Sequence, residues 1–390
     1  MKRRAFFGVA AGLAATRIQA AEPPVRVAIL GHTGRGNYGH GLDTMWREVH
    51  GTKVVAVADA DPRGLSQAQT RLGDVQGFAD YRELLDRVRP DVAVIASRHI
   101  DQHHAMAMAA AAAGVHGIYM EKPFCRSLTE ADEIIAACDR SGLRLALAHR
   151  NRYHPALPVV KALVQEGRIG RVLEYRARGK EDTRGGSLDM WVLGCHLFNL
   201  IHHFAGEPQS CSAIVLQQGR PLLASDVGEG AEGIGPLGGN EVHARFEMAD
   251  GRPAFFDSVQ NAGVRESGFG LQIIGTEGVI DLRIDAEPLV HLRTGSPFRP
   301  EAKPAAWQPV TSAGIGLPEP VADIRKQVGG HLAPALDLLA AMREGRDPLC
   351  SARDGRVTLE MICGVFASHL QDGRRVKLPL TERGNSLQGG

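Results

Sequence analysis

The first half of the chain is punctuated by short apolar runs. They are Val25–Leu30 (VRVAIL), 52–59 (TKVVAVAD), 91–97 (DVAVIAS), 116–120 (HGIYM) and 143–148 (LRLALA). Runs of this length with little polar alternation predict strands buried on both faces. Between them, 37–49, Pro62–Leu72, Tyr81–Val88, 103–113 and 127–139 carry apolar residues at helical spacing. Ser127 and Glu130 open the last of these as a capping box, each side chain placed to accept an otherwise orphaned backbone N–H. Regular alternation of strand and helix predicts a doubly wound parallel sheet.

After about residue 150 the pattern changes. Residues 240–248 and 253–260 alternate polar and apolar positions around Asp250-Gly251, a hairpin signal. Residues 271–274 and 279–284 flank Gly275-Thr276-Glu277-Gly278 in the same way. These segments predict an antiparallel sheet. The glycine-rich stretch 214–240 reads as a long surface loop, and 330–344 and 354–370 return to helical spacing. The expected fold is therefore α/β followed by α+β. A dinucleotide-binding domain over 24–150 precedes a domain with an open, mostly antiparallel sheet over 151–381, and 382–390 form a tail.

Composition narrows the function. With Lys plus Arg at 45 and Asp plus Glu at 44, the net charge of +1 gives no basic face for a nucleic acid. No apolar run reaches the ~18 residues that span a bilayer. Residues 1–21 read as an export signal. A basic start (Lys2, Arg3, Arg4) precedes a weakly apolar stretch, with Ala20 and Ala21 before Pro23-Pro24. Arg3-Arg4-Ala5-Phe6-Phe7 is similar to the twin-arginine pattern, which implies a periplasmic or secreted enzyme exported folded. The cysteines at 125, 138, 195, 211, 350 and 363 form no C-x-x-C pair and read as small buried hydrophobes.

The turn after the first strand reads Gly31-His32-Thr33-Gly34-Arg35-Gly36. Gly31 and Gly36 fit the G-x-G-x-x-G fingerprint of a dinucleotide site, with Thr33 where the second Gly belongs and Gly34 one residue later. A helix beginning near Asn37 would aim its free N–H groups at phosphates. Asp59 ends the second strand, where a carboxylate accepts bonds from the adenosine ribose and repels a 2′-phosphate. NAD is therefore expected, and NADP disfavoured.

The segment Tyr119-Met120-Glu121-Lys122-Pro123 resembles the signature of the oxidoreductase family named for glucose–fructose oxidoreductase, inositol dehydrogenase and the rhizopine catabolism protein (Gfo/Idh/MocA). Residues 91–97 with His103, the junction His149-Arg150-Asn151-Arg152-Tyr153-His154-Pro155, residues 274–278 and Leu378-Pro379-Leu380 are similar to that family in order along the chain. The resemblance implies that Ser97, His103, Glu121 and Lys122 lie on the cofactor, and that Lys122, beside the nicotinamide ring, handles the substrate hydroxyl. It implies that His196 is the general acid/base, within a pattern Asp-x-Gly-x-His whose Asp position is Val192 here. Asp189, Asp182 and Glu181 are nearby acids in sequence. Arg152, Tyr153, Arg184 and Asn199 are substrate-side candidates. His99, His103, His104, His202 and His203 lack a metal-ligand pattern such as H-E-x-x-H, so no metal is expected. The implied activity is hydride transfer between a secondary hydroxyl of a sugar, cyclitol or glycoside and a tightly bound NAD. The implied assembly is a homo-oligomer through the C-terminal sheet, without membrane anchor. Redox-neutral cleavage of a glycoside by oxidation and elimination, or non-catalytic binding of a sugar or NAD, are the alternatives.

Overall fold

The computed structural model describes residues 23–263, 268–299 and 305–387. The export signal read over residues 1–21 lies outside the described residues.

Six parallel strands form the first sheet: β1 (Val25–Leu30), β2 (Thr52–Ala58), β3 (Gln76–Phe78), β4 (Val92–Ile95), β5 (Gly117–Met120) and β6 (Arg144–Leu147), in the order β3-β2-β1-β4-β5-β6. Every residue of β4 and β5 is buried, because helices cover both faces of the sheet. Only β3 escaped the hydrophobic pattern, being three residues long with a single large apolar side chain, Phe78.

Four helices follow the sequence reading: α1 (Pro62–Leu72), α2 (Tyr81–Val88), α3 (His103–Ala112) and α4 (Leu128–Ser141). Asp61 caps α1 by accepting the Gly64 N–H at 2.7 Å. Ser127 caps α4 by accepting from Glu130 N–H. The carboxylate of Glu130, however, accepts the N–H of Arg126 at 2.8 Å rather than that of Ser127, so the expected box is half made.

The helix expected over 37–49 does not form. Asn37, Gly39 and Gly41 have φ of 54°, 61° and 85°, and one left-handed residue after another breaks an i→i−4 ladder. The segment runs as turns with one short 3₁₀ stretch, Met45–Arg47. Its apolar side chains are still buried: Tyr38, Leu42, Met45, Trp46 and Val49 pack under β1. The layer is completed from far along the chain. Ala335, Leu338 and Leu339 of the helix Leu332–Glu344 join the same core, so the expected division at residue 150 does not separate the packing.

The second sheet is built on Val172–Arg178, Pro208–Gln217, Glu241–Met248, Pro253–Val259, Gly270–Gly275 and Gly278–Arg283, with further strands beyond. Its pairs are antiparallel except Val172–Arg178 beside Pro253–Val259. Glu241–Met248 alternates buried and solvated residues, the signature of one covered face. The stretch 214–240 is only partly the expected loop, because 214–217 complete the strand Pro208–Gln217 and Gly228–Glu229 pairs with Pro236–Leu237. The tail turns back on the first domain, where the Arg383 guanidinium pairs with Asp132. All six cysteines are buried and unpaired. Among the described residues, no helix is long and apolar enough to cross a membrane.

Candidate active site

The carboxyl edge of the parallel sheet gathers the glycine turn, Ser97 and Glu121-Lys122, because each directly follows a strand or its first loop. In the turn, Thr33 donates its N–H and its hydroxyl to Asp59, at 3.0 and 2.7 Å. Tyr38 donates its hydroxyl to the same carboxylate at 2.7 Å, and the Asp61 N–H adds a bond of 3.0 Å. Asp59 is fully buried. Both its oxygens are bonded by its own chain, so a ribose hydroxyl would have to displace Thr33, Tyr38 or the Asp61 N–H to reach this carboxylate. Thr33 stands in the fingerprint's second Gly position because its hydroxyl anchors the turn. Burial works to raise the Asp59 pKa, but the bonds from Thr33 and Tyr38 prevail and hold it below the ordinary value. The negative charge that disfavours a 2′-phosphate is thus retained.

Gly34, with φ of 84°, has open space where a Cβ would stand. The Arg35 guanidinium is paired with Asp101. Gly36 lies so close to Arg98 that a Cβ would sit 2.5 Å from its backbone nitrogen. Ser97 is buried and its hydroxyl has no partner among the described residues. His103 does not face a ligand: its ring nitrogens lie 2.9 Å from the Pro123 carbonyl and 2.8 Å from that of Ser97, bracing two loops of the site.

At the other end, the Glu121 carboxylate accepts the Lys122 N–H at 2.8 Å and contacts His40 Nδ1 at 2.7 Å. Gly39 allows that approach, since a Cβ there would meet Glu121 Oε1 at 2.8 Å. Burial alone would raise the Glu121 pKa, but His40 and Lys122 pull it down to about 2. Lys122 is buried, and its ammonium donates to the Val192 carbonyl at 3.0 Å. Val192 belongs to the π-helical turn Met190–Gly194, a rare geometry concentrated at functional sites, which leads into the helix Cys195–Ala205. His196 is the second residue of that helix. Its Nδ1 lies 3.3 Å from Nδ1 of His149, with the rings perpendicular at 89°. Burial and the Lys122 charge push His196 well below its ordinary pKa and bring His149 down to about 3. Both imidazoles are therefore neutral at physiological pH.

None of the three candidate acids replaces the carboxylate missing at Val192. Asp189 accepts from Ser258 at 2.6 Å and from the Glu181 N–H, both on Oδ2, and its buried Oδ1 has no partner among the described residues, His196 included. Glu181 pairs with Arg178, and Asp182 with Arg184. The substrate-side candidates are also engaged elsewhere. Arg152 donates to the Asn199 carbonyl and pairs with Asp354. The Tyr153 hydroxyl accepts the Cys350 N–H, and the Asn199 amide contacts Cys350 Sγ. Arg152 and Tyr153 thereby tie the domain junction to the helices behind it, whereas Asn199 Oδ1 is buried with no partner among the described residues. The sequence reading missed the part played by His149. The only signal was its place at the junction motif, two residues after β6. It also missed that His149, Cys195 and His196 bring three possible ligand atoms within 4.8 Å.

The donor set fits NAD at the ring end and along the glycine turn, where Lys122, the unpartnered Ser97 hydroxyl and the space beside Gly34 meet the edge of the sheet. Comparison with known proteins agrees. Residues 25–149 match the model of the oxidoreductase family with an NAD-binding Rossmann fold, and 159–281 match the GFO/IDH/MocA C-terminal domain. The chain is 25% identical over 352 residues to D-apiose dehydrogenase of Paraburkholderia graminis, covering 86% of each. It is 28% identical over 249 residues to levoglucosan dehydrogenase of Pseudarthrobacter phenanthrenivorans, covering 57% of this chain and 63% of that one. A solved levoglucosan dehydrogenase, in complex with NADH and levoglucosan, shares the fold with a TM-score of 0.70 at 21% identity, over 91% of this chain and 99% of that one.

Proposed function

The chain belongs to the Gfo/Idh/MocA oxidoreductase family, an NAD-dependent enzyme acting on CH–OH groups, and from that premise we propose that its substrate is a secondary hydroxyl of a sugar, cyclitol or glycoside. The observation that carries the reading is the approach of Lys122 and His196 at the carboxyl edge, through the Lys122 bond to Val192. Bound NAD supplies the hydride acceptor. Lys122 holds the substrate oxygen with the N–H groups it does not spend on Val192. Neutral His196 takes the hydroxyl proton on Nε2 as the C–H bond breaks. Glu121, anchored by His40 and by the Lys122 N–H, positions Lys122.

The test is turnover of a panel of sugars, cyclitols and glycosides with NAD and an electron acceptor. Net oxidation supports the reading. Glycoside cleavage without net oxidation replaces it with the redox-neutral reaction, and no turnover replaces it with a binding function.

Export by a twin-arginine route, read from Arg3-Arg4-Ala5-Phe6-Phe7, belongs to the same proposal. A folded enzyme leaving the cytoplasm carries its NAD with it, so release must be slow. Purified protein, once denatured, should then yield NAD to the supernatant. Empty protein that binds NAD weakly and reversibly would argue for a cytoplasmic enzyme.

A further inference from the structure

We propose that His149 is the positioning residue of the acid/base, its Nδ1 accepting the Nδ1–H of His196 and thereby leaving Nε2 of His196 as the free base. The proposal rests on the reading of His196 as the group that takes the substrate proton.

The geometry allows two arrangements. With the two Nδ1 atoms 3.3 Å apart, a single hydrogen lies between them. If His149 donates it, neutral His196 carries its own proton on Nε2 and has no lone pair for a hydroxyl. If His196 donates it, the Nε2 lone pair is free and His149 keeps its proton on its own Nε2. Only the second arrangement is a base. Both rings are buried, so water does not compete for the shared hydrogen.

The support is rigid. His149 lies two residues after β6, and the intervening Ala148 N–H bonds the Met120 carbonyl at 2.9 Å. The orientation of His196 is therefore tied to the sheet edge that carries Lys122, not only to its own helix. With a valine at 192, and with none of Asp189, Asp182 and Glu181 bonded to His196 among the described residues, His149 is the group that meets His196 Nδ1.

The chemistry that follows is specific. The hydroxyl proton moves to His196 Nε2 as the C–H bond of the same carbon breaks, bound NAD would take up the hydride, and the imidazolium keeps its Nδ1–H on His149. A neutral acceptor stabilises that imidazolium less than a carboxylate would. The charged and titratable groups facing it include Lys122 and Glu121 from the β5 end, Arg150 beside His149, His40 from the glycine turn and Cys195 on its own helix. Lys122 and Arg150 add to the disfavour of the charged ring.

The experiment is ¹⁵N NMR of the full chain labelled in histidine, with His149→Asn and His196→Gln to assign the two rings, joined to kinetics. The expected tautomers are Nδ1–H for His196 and Nε2–H for His149. His149→Phe should lower kcat about ten- to hundredfold with little change in KM. His149→Asn, whose amide oxygen can accept the same hydrogen, should recover part of it. His149→Asp should move the acid limb of the kcat profile to higher pH. An Nε2–H tautomer at His196, or a folded His149→Phe with wild-type kcat and pH profile, would overturn the proposal. So would a stoichiometric zinc ion in the purified protein, because His149, Cys195 and His196 would then be its ligands. If His149→Phe does not fold, the tautomers of the wild type and the kinetics of His149→Asn decide. The expected tautomers with unimpaired His196→Gln turnover would leave the pairing standing and defeat the catalytic reading instead.

Discussion

The turn that replaces the first expected helix makes a quantitative demand at Gly39. An alanine there would hold φ near 61° and place its Cβ 2.8 Å from Glu121 Oε1 and 2.9 Å from the Ala96 carbonyl. The left-handed backbone costs an L-residue about 1–2 kcal/mol, less about 0.4–1 kcal/mol returned by the stiffer unfolded chain. Forcing a methyl into filled space costs about 1–3 kcal/mol more, and backbone and a fixed carboxylate yield poorly. Gly39→Ala should therefore lose about 2–4 kcal/mol. Gly34→Ala is the control, because φ is 84° there but nothing lies within 4 Å of its Cβ. It should lose only the backbone part, about 1 kcal/mol. Urea unfolding followed by circular dichroism gives both values. Because the displaced group is Glu121, Gly39→Ala should also depress turnover in whatever protein remains folded. Equal stability of the two variants would refute the claim that the turn is fixed by close contact with Glu121.

Lys122→Ala and His196→Ala should each lower kcat by about 10²-fold or more with folding and NAD content kept, measured by steady-state kinetics and NAD release. Arg152→Ala should destabilise by about 3 kcal/mol in urea with little change in KM, because the guanidinium joins Asp354 and the Asn199 carbonyl rather than substrate. His149 and His203 are held near pKa 3 and His331 near 4, chiefly by burial, against 6.5 when unfolded. The unfolded chain therefore binds protons that the folded chain refuses. Stability should fall as pH drops from 6.5 toward 4, by about 1.4 kcal/mol per pH unit for each such histidine, and a flat stability profile across that window would contradict their burial as neutral rings. Tyr38→Phe removes one donor to the buried Asp59 and should cost about 1–2 kcal/mol, read by thermal or urea unfolding.

Most of the parallel sheet could be read from the sequence because a strand buried on both faces leaves no polar alternation, as in β4 and β5, and because Ser127 announces its helix through a local backbone bond. The Glu121-Lys122-Pro123 segment and the Gly194–His196 pair were legible for a related reason: each carries its chemistry within a few residues. Non-local decisions were not legible. The spacing of Tyr38, Leu42 and Val49 is that of a helix, yet Asn37, Gly39 and Gly41 turn it aside, and Ala335 and Leu338 supply the missing packing from about 300 residues away, at a distance no window of sequence spans. Asp59 looked free for a ligand because nothing local shows that Thr33 and Tyr38 fold back onto it. Arg152 and Tyr153 looked like pocket residues because a buried polar side chain and a ligand-facing one read alike until their partners are known. His149 and His196, 47 residues apart, meet only because the helix Cys195–Ala205 packs on the turn Arg150–Tyr153 that follows the edge strand β6. Sequence fixes which groups are available, and tertiary packing decides which of them satisfy each other and which are left to face a substrate.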